Sequence, residues 1–320
     1  MNADSISIED WPAIPFQDWR DTAAALHLYT QIVGKYRLAR SPWVNHSWHA
    51  TLYVTPRGLT TSLIPDGPAS IEITFDFVDH AVRGHAGDGT SASFALEPMS
   101  IAGFHAKFVD LIAGLGGHPS FHGRPNELPD PVPFADDKSD RPYDADAVAR
   151  FHRALVSVNH VFQRFRTGFR GKVSPVHLFW GSFDLAVTRF SGRSAPLHPG
   201  GIPNLPDNVT QEAYSHEVSS AGFWPGGGPI QDAAFYAYAY PGPDGFADAD
   251  VLPAGAYFDR EFGEFILPYE IVRSATNPQQ TLHDFLETTY RAAATLGDWD
   301  TALECEGGLV GSPPSIDSSD

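Results

Sequence analysis

Glu212 and His216, four residues apart in EAYSHEVSS (Glu212–Ser220), are the side chains whose types and spacing most directly suggest chemistry. On a helix that spacing sets a carboxylate one turn from an imidazole. Glu212 or Glu217 would then orient His216 as a general acid or base. The run falls short of a zinc-protease motif, because Ser220 stands where the second histidine of H-E-x-x-H belongs. His177 and Asp184 flank Trp180-Gly181-Ser182-Phe183, and His198 sits in a Pro-Leu-His-Pro-Gly-Gly loop. His177, His198 and Asp184 would suit a divalent metal, Zn or Fe, although no close H-x-H spacing fixes one and satisfied structural histidines are the plainer reading. No Gly-x-Ser-x-Gly elbow and no phosphate-cradling glycine loop is present, and the single cysteine, Cys305, lies near the polar end of the chain.

Charge offers a second pointer. The chain has a net charge of −18, yet Arg150–Arg193 holds eight basic residues and one acid, Asp184. Arg166, Arg189 and Arg193 are the expected holders of a small anionic molecule. Thr22–Pro65 contains Lys35, Arg37, Arg40 and Arg57 without an acid, so the two basic stretches could line one crevice. Pairing with the surplus carboxylates is the plainer alternative. Trp180, Phe183 and Trp224, with Tyr214 and Phe223 nearby, would stack a planar or sugar-like ligand; for any one of them core packing is the commoner role.

Composition narrows the classes. A pI near 5.0 argues against general binding of nucleic acid or of anionic lipid, both of which reward basic surfaces. MNADSISIEDWPAIP has no basic segment followed by an apolar one, as a secretory signal would. No apolar run approaches the roughly 20 residues that span a bilayer. One cysteine fits a reducing, cytoplasmic setting.

The elements that would position these residues read as an α+β fold, with largely antiparallel sheets covered by helices. Residues 1–17 read as an arm pinning Trp11, Ile14 and Phe16. A helix over 18–38 buries Leu26, Tyr29, Val33 and Tyr36 and presents His27, Gln31 and Lys35 on its other side. Hairpin strands at 48–54 and 59–64 follow, then strands at 71–77 and 91–96, and a helix from Ser100 to Leu115. Residues 118–143, rich in Pro, Asp and Gly, form a long crossover loop. The order then begins again: Leu155, Val158, Phe162 and Phe165-Arg166 repeat the spacing of Leu26, Tyr29, Val33 and Tyr36-Arg37. Phe94-Ala95-Leu96 recurs as Phe265-Ile266-Leu267. These matches predict two divergent copies of a helix–hairpin–strands–helix unit, at 11–117 and 144–300. An insertion at 192–230 carries a short helix over 209–220, and 301–320 forms a disordered tail.

NHSWHATLYVTPRGLTTS (Asn45–Ser62), SPVHLFWGSFDLAVTRFSGR (Ser174–Arg193) and EAYSHEVSSAGFWPGG (Glu212–Gly227) together resemble a family of bacterial proteins known only as a domain of unknown function. The resemblance implies a bacterial cytosolic protein made of this one domain, and it assigns no activity and no catalytic residue. Two classes of function follow from the residues themselves. One is an enzyme acting on a small anionic molecule in a crevice lined by Arg, His and aromatic side chains. The other is a non-catalytic small-molecule-binding module with an aromatic pocket.

Overall fold

A computed structural model describes residues 10–228 and 230–305. Trp11, Ile14 and Phe16 are buried, as an anchoring arm requires. Helix α1 (Phe16–Arg40) seals Leu26, Tyr29, Val33 and Tyr36 from solvent. Strands β1 (Tyr53–Thr55), β2 (Gly58–Thr60), β3 (Ile64–Asp66), β4 (Ala69–Asp76), β5 (Ala81–Ala86) and β6 (Ser91–Ala95) form an antiparallel sheet ordered β1-β2-β4-β5-β6, with β3 also on β4. Two-residue β7 (Met99–Ser100) leads into helix α2 (Ile101–Gly114), which packs Phe104, Phe108 and Ile112 toward Ile73, Phe75 and Val82. Ser100 caps α2, its Oγ accepting the Gly103 N–H at 3.0 Å.

Residues 115–144 cross over with almost no regular structure, except that β8 (Asp140–Arg141) pairs with β7. Helix α3 (Ala145–Thr167) starts where the Asp144 carboxylate accepts the Ala147 N–H at 2.9 Å. Strands β9 (His177–Phe179) and β10 (Asp184–Ser194), helix α4 (Asp207–Ala213), and strands β11 (His216–Trp224), β12 (Ala234–Tyr240), β13 (Tyr257–Asp259) and β14 (Glu264–Pro268) follow. They build the sheet β13-β14-β12-β11-β10-β9. Helices α5 (Tyr269–Arg273) and α6 (Pro278–Leu296) close the fold, α6 capped by Asn277. The fold is α+β with antiparallel sheets. Each half runs from a long helix through a six-stranded antiparallel sheet to a closing helix, but the halves differ in detail: β3 pairs beside β4 in the first, whereas β13 is an edge strand and α4 and α5 intervene in the second. The sheets meet at corresponding edges, where Leu52 and Leu178 exchange backbone hydrogen bonds of 3.0 and 2.8 Å in antiparallel fashion.

Three expectations need correction. The helix expected over 209–220 is two elements: α4 stops at Ala213 and His216 begins β11. That strand lies between β10 and β12 and is buried on both faces over Val218–Phe223, so no polar alternation marks it as β. Strand β5 lacks a long apolar run and went unread. The expected tail at 301–320 is ordered at its start, where the Cys305 N–H donates to Gly168 O and Arg170 N–H to Leu303 O; residues 306–320 lie outside the described residues.

Candidate functional site

The stripe His27, Gln31 and Lys35 on α1 is the foundation of a cavity. The His27 ring lies 2.8 Å from Gly181 O. The Gln31 amide grips Asn126 from both sides, donating to its carbonyl at 3.0 Å and accepting its N–H at 2.8 Å. Lys35 donates to the Asn126 side chain and lies over the Trp180 ring, 5.4 Å from its centroid. Trp180 is fixed in turn, its indole N–H donating to Ala50 O at 2.7 Å. Gly34 makes room for the indole, which a Cβ there would overlap. The crossover loop is thus clamped to α1. The insertion clamps it from the other side, with Glu127 N–H to Pro203 O at 3.0 Å and Asn204 Nδ2 to Leu128 O at 2.6 Å.

Between these pieces is a cavity of about 1080 Å³, walled by Lys35, the loop 43–50, Arg124–Glu127, Phe179–Gly181, and the stretch Ile202–Tyr214. Glu127 is its most unusual wall residue. Its backbone is left-handed, φ +59°, a conformation that costs a non-glycine residue about 1 kcal/mol or more and clusters at functional sites. Its carboxylate lies so close to Gly181 that a Cβ at 181 would overlap it. Burial pushes Glu127 up to about 7; the nearby Asp184 adds to the rise and Lys35 opposes it. Among the described residues no hydrogen-bond donor stabilises the carboxylate form. Burial likewise brings Lys35 down to about 8, against the attraction of Glu127. Lys35 is only 3% exposed. A carboxyl and an amine that both change charge near neutrality, lining one cavity, are suited to proton transfer.

Behind Glu127 lies an acidic, tyrosine-rich floor. Asp184 accepts hydrogen bonds from Ser182 and Tyr236, and burial raises its pKa. Glu264 is pushed up to about 8 by burial and by Asp184. Tyr214, which lines the cavity, shares a 2.8 Å hydrogen bond with Tyr238. On the opposite wall the His46 N–H donates to Glu212 Oε2 at 2.7 Å, and His46 Nδ1 faces Ala213 O at 2.9 Å. Burial, then the charge of Lys172, lowers the His46 pKa, so the ring is neutral.

Of the residues singled out in the sequence, Glu212, Trp180, Tyr214 and Lys35 line the cavity. His216, on β11, hydrogen-bonds Ser215 Oγ at 3.0 Å and sits 6.4 Å from the His46 ring, so it is not one helical turn beyond Glu212. Glu217 binds Arg193 at 2.7 Å and Ser191 at 2.8 Å. Arg193 also donates to the carbonyls of Gly297 and Asp298 at the end of α6. Arg189 is held among Phe165, Phe169 and Tyr290 with Glu287. Arg166 donates to Gln163. None of the eight basic residues of 150–193 lines the cavity; the cations on its walls are Lys35 and Arg124. Phe183 stacks on His27 and Trp224 on Tyr236, both as packing.

The three residues considered for metal are not brought together. His177 Nδ1 faces Pro175 O at 2.7 Å, Asp184 is taken by Ser182 and Tyr236, and His198 stacks on Tyr214 at 4.6 Å. Among the described residues no three His, Cys, Asp or Glu converge as a metal site. Glu127 and Asn126 are not among the expected site residues, and Lys35 is expected only as part of a basic stretch lining a crevice. Only the α1 stripe signals them, because Glu127 is one of several acids in a loop rich in Pro and Asp, and nothing local sets it apart.

Among the described residues no helix is long and apolar enough to cross a membrane. No curated protein and no solved structure gives a significant match to the chain. A family model does, over residues 11–305, and the chain belongs to that family, DUF5996, a family of unknown function.

Proposed function

We propose that this DUF5996 protein is a cytoplasmic enzyme that acts on a small molecule carrying an anionic group, with Glu127 as the general acid or base. Lys35 and Arg124 attract the anion, and the flat part of the ligand lies along Trp180. One observation carries this reading: Glu127 lines the cavity in a left-handed backbone, its carboxylate meets no hydrogen-bond donor among the described residues, and the charge of Lys35 acts on it. A fold that needed Glu127 only for stability would give it hydrogen-bond donors. Neither nucleic acid nor membrane is a partner in this reading, since the chain's charge is strongly negative.

The non-catalytic binding module is favoured by Trp43, 65% exposed at the cavity wall, a surface that would stack a ligand with no acid or base needed. Metabolite mixtures incubated with the parent protein, Glu127→Gln and Lys35→Met separate the two. The enzyme reading expects an anionic compound to be retained by the parent and by Glu127→Gln but consumed only by the parent, with Lys35→Met retaining little. A compound retained but unchanged by the parent would establish the binding module instead. Equal turnover by Glu127→Gln would remove Glu127 from the chemistry.

A further inference from the structure

We propose that the junction of the two sheets holds a binding site for a small oxyanion such as phosphate or sulfate, formed by Arg37, Arg166 and His177. The site does not depend on Glu127. Arg37 is 7% exposed and His177 is 1% exposed. Arg37 Nε and Nη1, Arg166 Nε and His177 Nε2 are all buried without a hydrogen-bond partner. Neither Arg37 nor Arg166 forms an ion pair with a carboxylate among the described residues, although the chain carries 39 acids. Leaving such donors unpaired in the interior costs the fold on the order of 1–3 kcal/mol each, and a buried cation without a counter-charge costs more. An anion supplies both the missing acceptors and the missing charge.

The topology explains why these groups meet. The antiparallel Leu52–Leu178 bridge sets Tyr53 opposite His177, with side chains on one face. Arg37 lies over the Tyr53 ring at 5.2 Å, which turns its guanidinium toward the junction. Arg166 comes from α3 at the position matching Arg37 in α1, each following the last buried aromatic of its helix, Tyr36 or Phe165. Both guanidiniums lie near enough to His177 to add to the lowering of its pKa that burial causes. A neutral His177 keeps one N–H, so it serves as a donor without adding a third charge. Each half of the chain contributes one arginine, and the anion would tie the halves together.

The junction also adjoins the cavity: Phe179, a wall residue, packs on His177 at 4.4 Å, and Arg37 acts on His49, another wall residue. The bound oxyanion is therefore either free or the anionic end of a larger ligand. Calorimetric titration of the full chain with inorganic phosphate, sulfate and phenyl phosphate, in buffer free of other oxyanions, tests the site. Phosphate is expected to bind at about 1 mM or tighter and to raise the melting temperature, and Arg37→Met or Arg166→Met to weaken it about tenfold or more. Each variant is expected to melt no lower than the parent in the absence of anion, because an unpaired buried charge has been removed. Arginines with a purely structural role would give the reverse: lower melting and unchanged phosphate affinity. Phenyl phosphate binding about tenfold tighter than phosphate would place the anionic end of a cavity ligand at the site; equal affinities would make the ion free. Glu127→Gln should bind phosphate like the parent, so failure of the catalytic reading leaves this one standing. Absence of phosphate and sulfate binding by the parent, or parental affinity in either variant, overturns the proposal. If Arg37→Met does not fold, Arg166→Met decides alone, since Arg166 is only partly buried.

Discussion

At pH 8 the Glu127→Gln protein is expected to melt about 3 °C above the parent while losing at least about a hundredfold in turnover. Both effects come from one cause. Glu127 is raised to about 7 in the folded chain, against an ordinary 4.5, so the fold holds the proton more tightly than the unfolded chain does. Stability tied to this group is complete below pH 4.5 and is lost as pH rises through about 7. At one pKa unit per 1.36 kcal/mol the loss has an upper limit of about 3 kcal/mol. Solvent in the cavity and the attraction of Lys35 reduce the gain from Gln to about half of that. Lys35 works with the opposite sign: brought down to about 8 from 10.5, its charge opposes folding below pH 8, and stability returns as pH rises from 8 toward 10.5. At neutral pH the fold therefore bears most of the Lys35 charge and about half of the Glu127 charge. Melting curves at pH 4.5 and pH 8 check this, since the advantage of Gln should vanish at pH 4.5. A variant that melts lower than the parent at both pH values would make Glu127 a structural residue.

Arg189→Ala is expected to cost about 3–5 kcal/mol of stability, lowering the melting temperature by roughly 10 °C, with ligand affinity unchanged. Arg189 is 1% exposed. Its guanidinium lies 3.5 Å from the Phe165 ring centroid and 4.2 Å from that of Tyr290, and it donates to Glu287 at 3.0 Å and to Phe165 O. Truncation leaves a void inside the aromatic cage and removes the guanidinium that pairs with Glu287. The residue lies on the side of β10 that faces α3 and α6, and Arg189 does not line the cavity. Thermal melting with parallel binding measurements separates the roles. Lost affinity at parental stability would return Arg189 to the anion-holding part expected from charge alone.

What could be read in the chain and what could not divides by the range of the interactions. Helix caps at Ser100, Asp144 and Asn277, the buried faces of α1 and α3 and the irregular crossover are local properties, written within a few residues of where they act. The stripe His27, Gln31 and Lys35 was visible for the same reason, as a polar face that periodicity alone exposes. Glu127 could not be picked out, because Gly181, Asp184 and Pro203, which define its surroundings, come from distant parts of the chain. The charge reversal at 150–193 misled in an instructive way. Arg189 and Arg193 stabilise helix and strand ends, while Lys35, a cation on the cavity wall, comes from the other basic stretch. His216 was placed on a helix because Ser219, Ser220, Ala221 and Gly222 carry no β signal. Gly222 has no side chain because the Tyr236 ring covers it, and a Cβ there would overlap the ring.

The titration of Glu127 itself tests the central claim most directly. Carbon-13 NMR of the side-chain carboxyls in selectively labelled protein, assigned with Glu127→Gln, follows that one group from pH 3 to pH 9. A midpoint near 7, accompanied by a Lys35 amine titrating near 8, is the result this account requires. A Glu127 midpoint at the ordinary 4.5 would mean a well-solvated carboxylate with no reason to hold or release a proton at neutral pH, and would contradict it.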